Sequence, residues 1–493
     1  MFPTALLLVL VLAGTRRFAG LGRLGLTGDE AVYLTQGLGP GDPGWAGVRA
    51  HPPLWGMLLA LVPDAVSRES VLRGVAVVVG LVSVVVAGLL AREVAGRWGG
   101  VAAAVALASM PYHADVTRLV LVDVPMATGV AVALLLLVRG TGDVPRPRLV
   151  EAAGAGLGVA TLFKETAVLT VVAIVLAWAV GALAVDRRTG ARALAWFVAI
   201  VALYPAWLVA VGGLDAAAGY VRWQLVRGPS GGVGYVDTVL PRIGWGVLGA
   251  AVVGGVVLVA AGRRHGALLA LAVLVPATFY AAWPVSGYPY LLATTVPLSA
   301  LAGVGASTVA TGLRARVTHN HLPLTAAFAV AALATGPAAT SAEPPPVPGS
   351  SGVPAVREAA TWLVREHLPV VTAATWVADV VRLYARGSPV STLTTARTVA
   401  ADVNPAHPRH RTAALPAGPV AVVWDAWSAS TDPTTTSALL DEVRAAGGRV
   451  AHVESAPGTV GARPLVVVFV VGAPAARSSP CCAPSPPDLG RPR

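Results

Sequence analysis

The stretch VLRGVAVVVGLVSVVVAGLL, residues 71–90, decides the fold class of this chain. Its twenty residues carry one charge, Arg73, and about 20 apolar residues are the length that an α-helix needs to cross a bilayer. The whole chain shares this character, since 55% of its 493 residues are hydrophobic, 12% are charged and the mean hydropathy is +0.69. We therefore expect an integral membrane protein.

Similar apolar runs recur along the chain and predict about eleven transmembrane spans. They lie near 2–13, 71–90, 100–112, 124–138, 151–163, 165–185, 193–212, 243–261, 266–284, 289–309 and 322–339. The first run is short for a span and has no basic residue before it, so it fits a cleaved signal peptide poorly. It is either a shortened first helix or the remainder of a segment that starts further upstream. The expected fold class is an all-α polytopic membrane bundle.

The net charge of +11 indicates topology and not a nucleic-acid partner. In the predicted arrangement the short loops on one side carry Arg92, Arg97, Arg139, Arg146, Arg148, Arg187, Arg188, Arg192, Arg263, Arg264, Arg314 and Arg316. Basic loops face the cytoplasm. The opposite loops hold Asp29, Glu30, Asp42, Asp115, Asp123, Asp215 and Asp237, although Arg16, Arg17 and Arg23 run against the rule. We expect a multi-pass protein of the cell membrane.

Composition changes after residue 340 and divides the chain into domains. A Pro-rich linker, 341–353, separates the transmembrane domain, 1–340, from a predicted extracytoplasmic α/β domain, 354–475. In that domain we expect a helix over 354–368 and buried strands at 420–424 and 464–471 around a helix at 434–446. The tail, 476–493, is expected to be disordered. Its adjacent Cys481 and Cys482 provide neither a disulfide framework nor a spaced metal motif.

Two adjacent carboxylates, Asp29 and Glu30, stand out in the first outer loop. Acids beside an apolar bundle are costly unless they are exposed, paired or used. Such a carboxylate could take a proton from an acceptor hydroxyl. Alternatively, the pair caps a short helix that begins at Ala31, because acids favour a helix N-terminus.

The next outer segments add polar candidates, each with a structural alternative. His51, before two prolines, could act as a metal ligand, proton shuttle or hydrogen-bond donor, or could simply sit at the membrane surface. Asp123 could bind a cation or a sugar hydroxyl, or cap the helix that it begins. Arg118 could meet a phosphate.

Lys164 is the single lysine among 36 basic residues, and it interrupts an apolar stretch together with Glu165. An ionisable residue at such a position is a functional candidate, and a compact ammonium suits a phosphate in a tight site. The alternative is an internal pair between Lys164 and Glu165, or extension of the lysine to the interface.

These elements, in this order, resemble a known superfamily. The motifs are Asp29-Glu-x-x-Tyr33, His51-Pro-Pro-Leu54, Arg118-x-x-x-x-Asp123-x-Pro125, Gly158-x-x-x-x-x-Lys164 and Tyr288-Pro-Tyr-Leu-Leu-Ala-Thr-Thr-Val-Pro297. Together they are similar to the dolichyl-phosphate-mannose protein mannosyltransferases and the lipid A aminoarabinose transferases, which have the GT-C fold. The arginine often found before the late tyrosine in these proteins is absent here, where Ser286 and Gly287 precede Tyr288.

The resemblance implies a glycosyltransferase that moves a sugar, with inversion, from a polyprenyl-phosphate donor to an extracytoplasmic glycan, lipid or protein. Asp29 would be the catalytic base and Glu30 would support it. The substrate-binding residues would be His51, Arg118, Asp123, Lys164 and Tyr288, with Lys164 and Arg118 facing the donor phosphate. No cofactor is expected with certainty. A divalent metal stays an open alternative, for which Asp29, Glu30, His51 and Asp123 offer the available ligands.

Two other classes of function fit parts of the sequence. A transporter or flippase for a lipid-linked sugar would also use many spans and a few intramembrane charges. Its charges would lie near mid-membrane, whereas the distinctive charges here fall in outer loops. A non-catalytic scaffold that presents the C-terminal domain is the third class.

Overall fold

The structure, a computed structural model, describes residues 2–22, 25–36, 51–62, 69–226, 234–283, 287–314, 356–372, 375–385, 388–393, 411–412, 415–431, 433–455 and 464–472. These residues form a helical bundle up to residue 314 and an α/β unit from residue 356. The predicted linker, the C-terminal tail with both cysteines and the run at 322–339 lie outside the described residues.

The bundle consists of helices joined mostly by short connections. They are α1 (Phe2–Phe18), α2 (Gly28–Gln36), α3 (Leu54–Leu59), α4 (Glu69–Ser109), α5 (Pro111–Val116), α6 (Asp123–Gly140), α7 (Pro147–Phe163), α8 (Val168–Ala179), α9 (Arg187–Val201), α10 (Leu203–Val226), α11 (Leu240–Ile243), α12 (Trp245–Ala260), α13 (Arg264–Ala282) and α14 (Leu292–Arg314). Single turns of 3₁₀ helix, Glu165–Ala167 and Tyr288–Leu291, precede α8 and α14, and a π-helical turn, Tyr235–Val239, precedes α11.

Several of these helices can cross a membrane. Within the described residues, five segments are long and apolar enough, namely Glu69–Ser109, Asp123–Gly140, Arg187–Ala210, Arg264–Ala282 and Tyr288–Thr311. The pair Tyr235–Ile243 and Trp245–Ala260, bent by 80°, makes a sixth if it forms one span. A multi-pass membrane bundle is therefore supported, while the count of eleven stays a prediction.

Helix α4 is a hairpin of two helical arms. Its 41 residues would extend about 60 Å as one straight helix, twice the hydrocarbon thickness. Gly96 breaks the helix with φ 72° and ψ −174°, a conformation that glycine adopts without strain. The arms then pack closely, since a Cβ on Gly100 would lie 2.6 Å from the carbonyl oxygen of Gly88. The predicted runs 71–90 and 100–112 are these two arms.

Among the described residues, the arginine-bearing loops near Arg139, Arg192 and His265 gather at one end of the bundle, opposite the residues singled out above. Arg139, at the end of α6, pairs with Glu93 near the α4 turn, with Nε 2.8 Å from Oε1. Helix α6 begins with Asp123 at the end of the bundle opposite Arg139. Helix α7 runs back toward the Asp123 end, and Lys164 directly follows its last residue. The candidate residues and the arginine loops are therefore separated by the length of the helices.

The C-terminal unit is a six-stranded mixed sheet with helices. Its elements are α15 (Val356–Glu366), β1 (Val370–Thr372), α16 (Thr375–Tyr384), β2 (Val390–Leu393), β3 (Arg411–Thr412), β4 (Val420–Asp425), α17 (Ala426–Thr431), α18 (Pro433–Ala445), β5 (Arg449–Ser455) and β6 (Pro464–Val471). The strand order is β3-β2-β1-β4-β6-β5. The first four strands in that order pair in parallel, whereas β6 pairs antiparallel with β4 and β5.

The register places the most apolar strands at the centre of this sheet. Val370 of β1 lies opposite Ala421 of β4, and Val422 lies opposite Phe469 of β6. Every residue of β4 is buried, which explains its continuous apolar sequence, because a strand covered on both faces has no polar side. The predicted strands at 420–424 and 464–471 and the predicted helices at 354–368 and 434–446 are confirmed, with ends shifted by a few residues.

Candidate active site

The first turn of α2 is fixed by a reciprocal cap. Thr27 precedes the helix, and its Oγ1 accepts a hydrogen bond from the backbone N of Glu30 at 3.3 Å. In return, the Thr27 backbone N donates to Glu30 Oε2 at 2.9 Å. This is a capping box, in which a threonine and a glutamate three residues later satisfy each other's backbone donors. The helix therefore begins at Gly28, three residues earlier than the capping alternative placed it.

Glu30 is also the centre of a buried ion pair. Arg73 donates to it through Nε at 2.9 Å and Nη2 at 2.7 Å, and the Val120 backbone N donates at 3.0 Å. Burial favours a higher pKa for the Glu30 carboxyl, but the Arg73 guanidinium and the backbone donors outweigh it and hold that pKa below its usual range. Glu30 is thus engaged in holding α2, while the neighbouring Asp29 side chain is exposed.

Tyr33 links Asp29 to the rest of the site. It lies four residues after Asp29, on the same side of α2, and is 5% exposed. Its ring centre lies 5.8 Å from that of His51. Burial and the negative charges of Asp29 and Asp123 raise the pKa of the Tyr33 phenol well above 10. Asp29 of α2 and Asp123 of α6 therefore both act on the Tyr33 phenol.

His51 and Glu165 form the next pair. His51 Nδ1 lies 3.0 Å from Glu165 Oε2, so the ring nitrogen and the carboxylate share a hydrogen bond. The alternative in which Glu165 pairs with Lys164 is not the arrangement in the structure. Lys164 adopts extended φ and ψ angles between α7 and the 3₁₀ turn that begins at Glu165, and the two side chains bind different partners.

Lys164 turns instead to Asp123. Its Nζ lies 2.7 Å from Asp123 Oδ1, and the side chains are 2% and 1% exposed. The ammonium also lies 4.2 Å from the centre of the Tyr290 ring, a distance at which a cation–π contact forms. Asp123 Oδ2 is buried and has no hydrogen-bond partner among the described residues. Asp123 lies in the first turn of α6, where its charge favours the helix N-terminus, and it also pairs with Lys164.

A second cluster forms around Asp115 on α5. Arg242 of α11 donates through Nε to Asp115 Oδ2 at 2.9 Å, and the Tyr288 hydroxyl donates to the same oxygen at 3.3 Å. The backbone carbonyl of Tyr288 accepts from the Tyr112 hydroxyl at 2.8 Å. Arg242 thus supplies an arginine beside Tyr288 from another part of the chain, although Ser286 and Gly287 precede Tyr288 in sequence.

Arg118 is buried near this cluster and contacts the backbone. Its Nη2 donates to the Ala19 carbonyl oxygen at 2.6 Å. Its Nε is buried without a partner among the residues described. The predicted residues therefore fall into two groups, with Asp29, His51, Asp123 and Lys164 around Tyr33, and Arg118 and Tyr288 around Asp115.

Acidic and histidine side chains of the site could in principle hold a metal ion. No group of three His, Cys, Asp or Glu side chains in this part of the chain has the arrangement to hold an ion. His51 pairs with Glu165, and Asp123 pairs with Lys164. Of the four side chains considered as ligands, His51 and Asp123 are thus each paired with another residue.

Sequence reasoning missed three residues that organise the site, namely Arg73, Tyr290 and Arg242. Arg73 carried a signal, because it is the single charge in the run 71–90 and a charge inside a span requires a partner. Tyr290 and Arg242 gave no such signal.

Known proteins resemble this chain in part of its sequence and in its fold. A family model described as dolichyl-phosphate-mannose-protein mannosyltransferase matches residues 50–210. The apo crystal structure of ArnT from Cupriavidus metallidurans is similar with a TM-score of 0.67 and 15% identity, covering 94% of this chain and 97% of that one. The chain has the GT-C fold. The structure of ArnT bound to undecaprenyl phosphate matches with a TM-score of 0.64, 16% identity and the same coverage.

Other GT-C structures agree with this assignment. An Archaeoglobus fulgidus oligosaccharyltransferase tethered to an acceptor peptide matches with a TM-score of 0.54 and 15% identity, covering 89% of this chain and 71% of that one. Curated protein sequences provide no match. The superfamily resemblance of the sequence motifs is thus confirmed, and at these identities the structural likeness establishes the fold.

Proposed function

We propose that this GT-C chain is an integral membrane glycosyltransferase that transfers a sugar from a polyprenyl-phosphate donor to an extracytoplasmic glycan, lipid or protein. The observation that carries the proposal is the likeness, over nearly the full length of both chains, to ArnT bound to undecaprenyl phosphate. The family match over 50–210 adds to it, since that segment includes His51, Arg118, Asp123 and Lys164.

The donor phosphate is placed beside Lys164. Transfer of the sugar releases a polyprenyl phosphate, whose growing charge needs fixed positive groups. An ammonium has three donors; one of those on Lys164 goes to Asp123, which leaves donors for phosphate oxygens. Arg118 and Arg242 lie in the second cluster and provide further cations at the same end of the bundle.

Asp29 is assigned as the base. It is the exposed carboxylate of the first turn of α2, whereas Glu30 is committed to Arg73 and supports the site by holding that turn. In the proposed step, Asp29 takes the proton of the acceptor hydroxyl while the acceptor oxygen bonds to the anomeric carbon. The bond from that carbon to the phosphate oxygen breaks, and the electron pair leaves with the polyprenyl phosphate.

Inversion is expected from the placement of these groups on separate elements. Asp29 lies on α2, and Lys164 lies between α7 and α8. A sugar held between them is attacked from the Asp29 side and departs toward Lys164, which reverses the configuration at the anomeric carbon. His51 and Tyr33, whose ring centres lie 5.8 Å apart, are proposed to contact the acceptor or the sugar.

We assign the site and the C-terminal domain to the extracytoplasmic face. The arginine-bearing loops lie at the other end of the bundle, and basic loops favour the cytoplasm. A polyprenyl-phosphate donor presented at the outer leaflet would then reach Lys164 without crossing the bilayer.

The proposal is tested with purified full-length protein in nanodiscs, given a polyprenyl-phosphate sugar and membrane extract as acceptor. We expect free polyprenyl phosphate to appear in equal amount to newly bound sugar, and the anomeric proton of the product to have the opposite configuration to the donor. Movement of the donor between leaflets without release of polyprenyl phosphate would indicate a flippase and contradict the proposal.

A further inference from the structure

The segment that leads into α2 is held from the bundle side by Arg73. Its Nη1 donates to the Leu21 carbonyl oxygen and its Nη2 to the Gly25 carbonyl oxygen, both at 2.9 Å. The same guanidinium binds Glu30. One side chain of α4 therefore fixes both the approach to α2 and its first turn.

The same segment is also held by the C-terminal domain. The Leu26 backbone N donates to the Tyr384 hydroxyl oxygen at 2.8 Å, and that hydroxyl in turn donates to Glu69 Oε1 at the start of α4. Arg357 of α15 donates through Nη1 to Glu69 Oε2 at 2.9 Å and to the Gly22 carbonyl oxygen at 3.1 Å. We call Tyr384, Arg357 and Glu69 the interdomain clamp.

Glu69 makes this docking specific. Its side chain is 8% exposed, and its hydrogen-bond partners named above both come from the C-terminal domain. A carboxylate buried without such partners is strongly unfavourable. The domain is therefore held at one position on the bundle by charge as well as by the packing of α16 against α2.

We propose that the C-terminal domain positions the base, with Tyr384 and Arg357 as positioning residues for Asp29. The inference rests on the proposed function. Leu26 lies three residues before Asp29, so its bond to Tyr384 fixes the chain at the entry to the turn that carries the carboxylate. A displacement of about 1 Å at such a site can lower the rate about 100-fold.

The first test uses Tyr384→Phe and Arg357→Gln in the full-length protein. We expect each to lower kcat by about 10-fold or more while KM for the donor stays within about twofold, because the donor phosphate binds elsewhere. The matched control is Arg444→Gln, also in the C-terminal domain, where Arg444 of α18 forms an exposed pair with Asp441 at 2.8 Å. The control should keep the kcat of the wild type.

The second test separates positioning from general damage to the fold. In an Asp29→Asn background, measured in single turnovers at high enzyme concentration, Tyr384→Phe should cause no further loss, because its effect passes through Asp29. A loss of folded protein would instead lower the rate by the same factor in the wild-type and the Asp29→Asn backgrounds. That equal loss, or a wild-type kcat in both clamp variants, would overturn the inference.

Failure of the two proposals can be told apart. A wild-type protein that releases no polyprenyl phosphate would defeat the proposed function, and this inference with it, before any variant is made. An active wild type whose clamp variants match Arg444→Gln would leave the proposed function standing and defeat the positioning role. Should Tyr384→Phe fail to fold, Arg357→Gln alone decides the outcome.

Discussion

Lys164 Nζ and Asp123 Oδ1 lie 2.7 Å apart at the end of the bundle opposite the arginine loops, with both side chains almost fully buried. The pair joins the end of α7 to the start of α6. Burying two charges is unfavourable by several kcal/mol for each ion, and their mutual attraction offsets this only when the geometry is good. A pair in this position is therefore expected to serve binding more than stability.

The first prediction separates these two contributions. Asp123→Asn leaves a buried ammonium without its counter-charge and should destabilise the protein by about 3–5 kcal/mol, seen as a lower melting temperature in detergent. Lys164→Met combined with Asp123→Leu should recover most of that stability and still fail to bind the donor. Arg192→Gln, which breaks an exposed pair with Glu151, should cost less than about 1 kcal/mol. Equal melting temperatures for Asp123→Asn and this control would refute the prediction.

The second prediction concerns the base. Asp29→Asn should lower kcat by about 100-fold to 10,000-fold, the usual contribution of a general base, with unchanged membrane insertion. Transfer of a radiolabelled sugar gives the measurement. Asp215→Asn, which changes another exposed acid, should leave transfer unchanged. Normal transfer by Asp29→Asn would remove Asp29 from the assignment.

The third prediction concerns pH and the Glu30–Arg73 pair. The folded pKa of Glu30 lies below the ordinary value of 4.5, so the pair contributes its full stability above that pH. As the pH falls below 4.5 toward the folded pKa, the unfolded state takes up the proton first and the contribution is lost. The melting temperature should therefore drop in this window.

A comparison of variants assigns that acid loss to Glu30. Glu30→Gln should have a lower melting temperature at pH 7 and a smaller further decrease below pH 4.5. Glu93→Gln, which removes an exposed partner of Arg139, should keep the wild-type decrease. An undiminished decrease in Glu30→Gln would show that other groups cause the acid loss.

The fourth prediction concerns the α4 hairpin. Gly100→Ala places a Cβ 2.6 Å from the Gly88 carbonyl oxygen and should destabilise the protein by about 1–3 kcal/mol through overpacking. Gly255→Ala, in α12, meets nothing within 4 Å and should be neutral or stabilising. Thermal unfolding of the two variants in the same detergent provides the measurement, and similar melting temperatures would contradict the close approach of the arms.

The membrane bundle was predictable because its signal is local. An apolar run such as 71–90 needs no knowledge of its neighbours to indicate a helix, and arginine-bearing loops indicate which ends lie together. The strands at 420–424 and 464–471 were predictable for a similar reason, since strands buried on both faces are apolar throughout.

The pairing of charges was not predictable from spacing. Lys164 and Glu165 are neighbours in sequence, yet an extended residue between two helices sends them to Asp123 and His51. The partner of each charge depends on where other helices end, and this is set by tertiary packing. Arg242 illustrates the same limit, because its place beside Tyr288 follows from the break between α11 and α12.

The interdomain clamp has a consequence for the order of events during synthesis. The bond from Leu26 to Tyr384 joins residues 358 positions apart, so the ribosome completes every helix of the bundle before the second partner exists. Contacts between such distant positions also form late in folding. A chain that ends before Tyr384 would enter the bilayer with Lys164 in place and with Asp29 not yet held in position. Under this proposal, nascent chains and chains truncated before Tyr384 transfer sugar more slowly than the finished polypeptide, by at least the factor expected for the clamp variants.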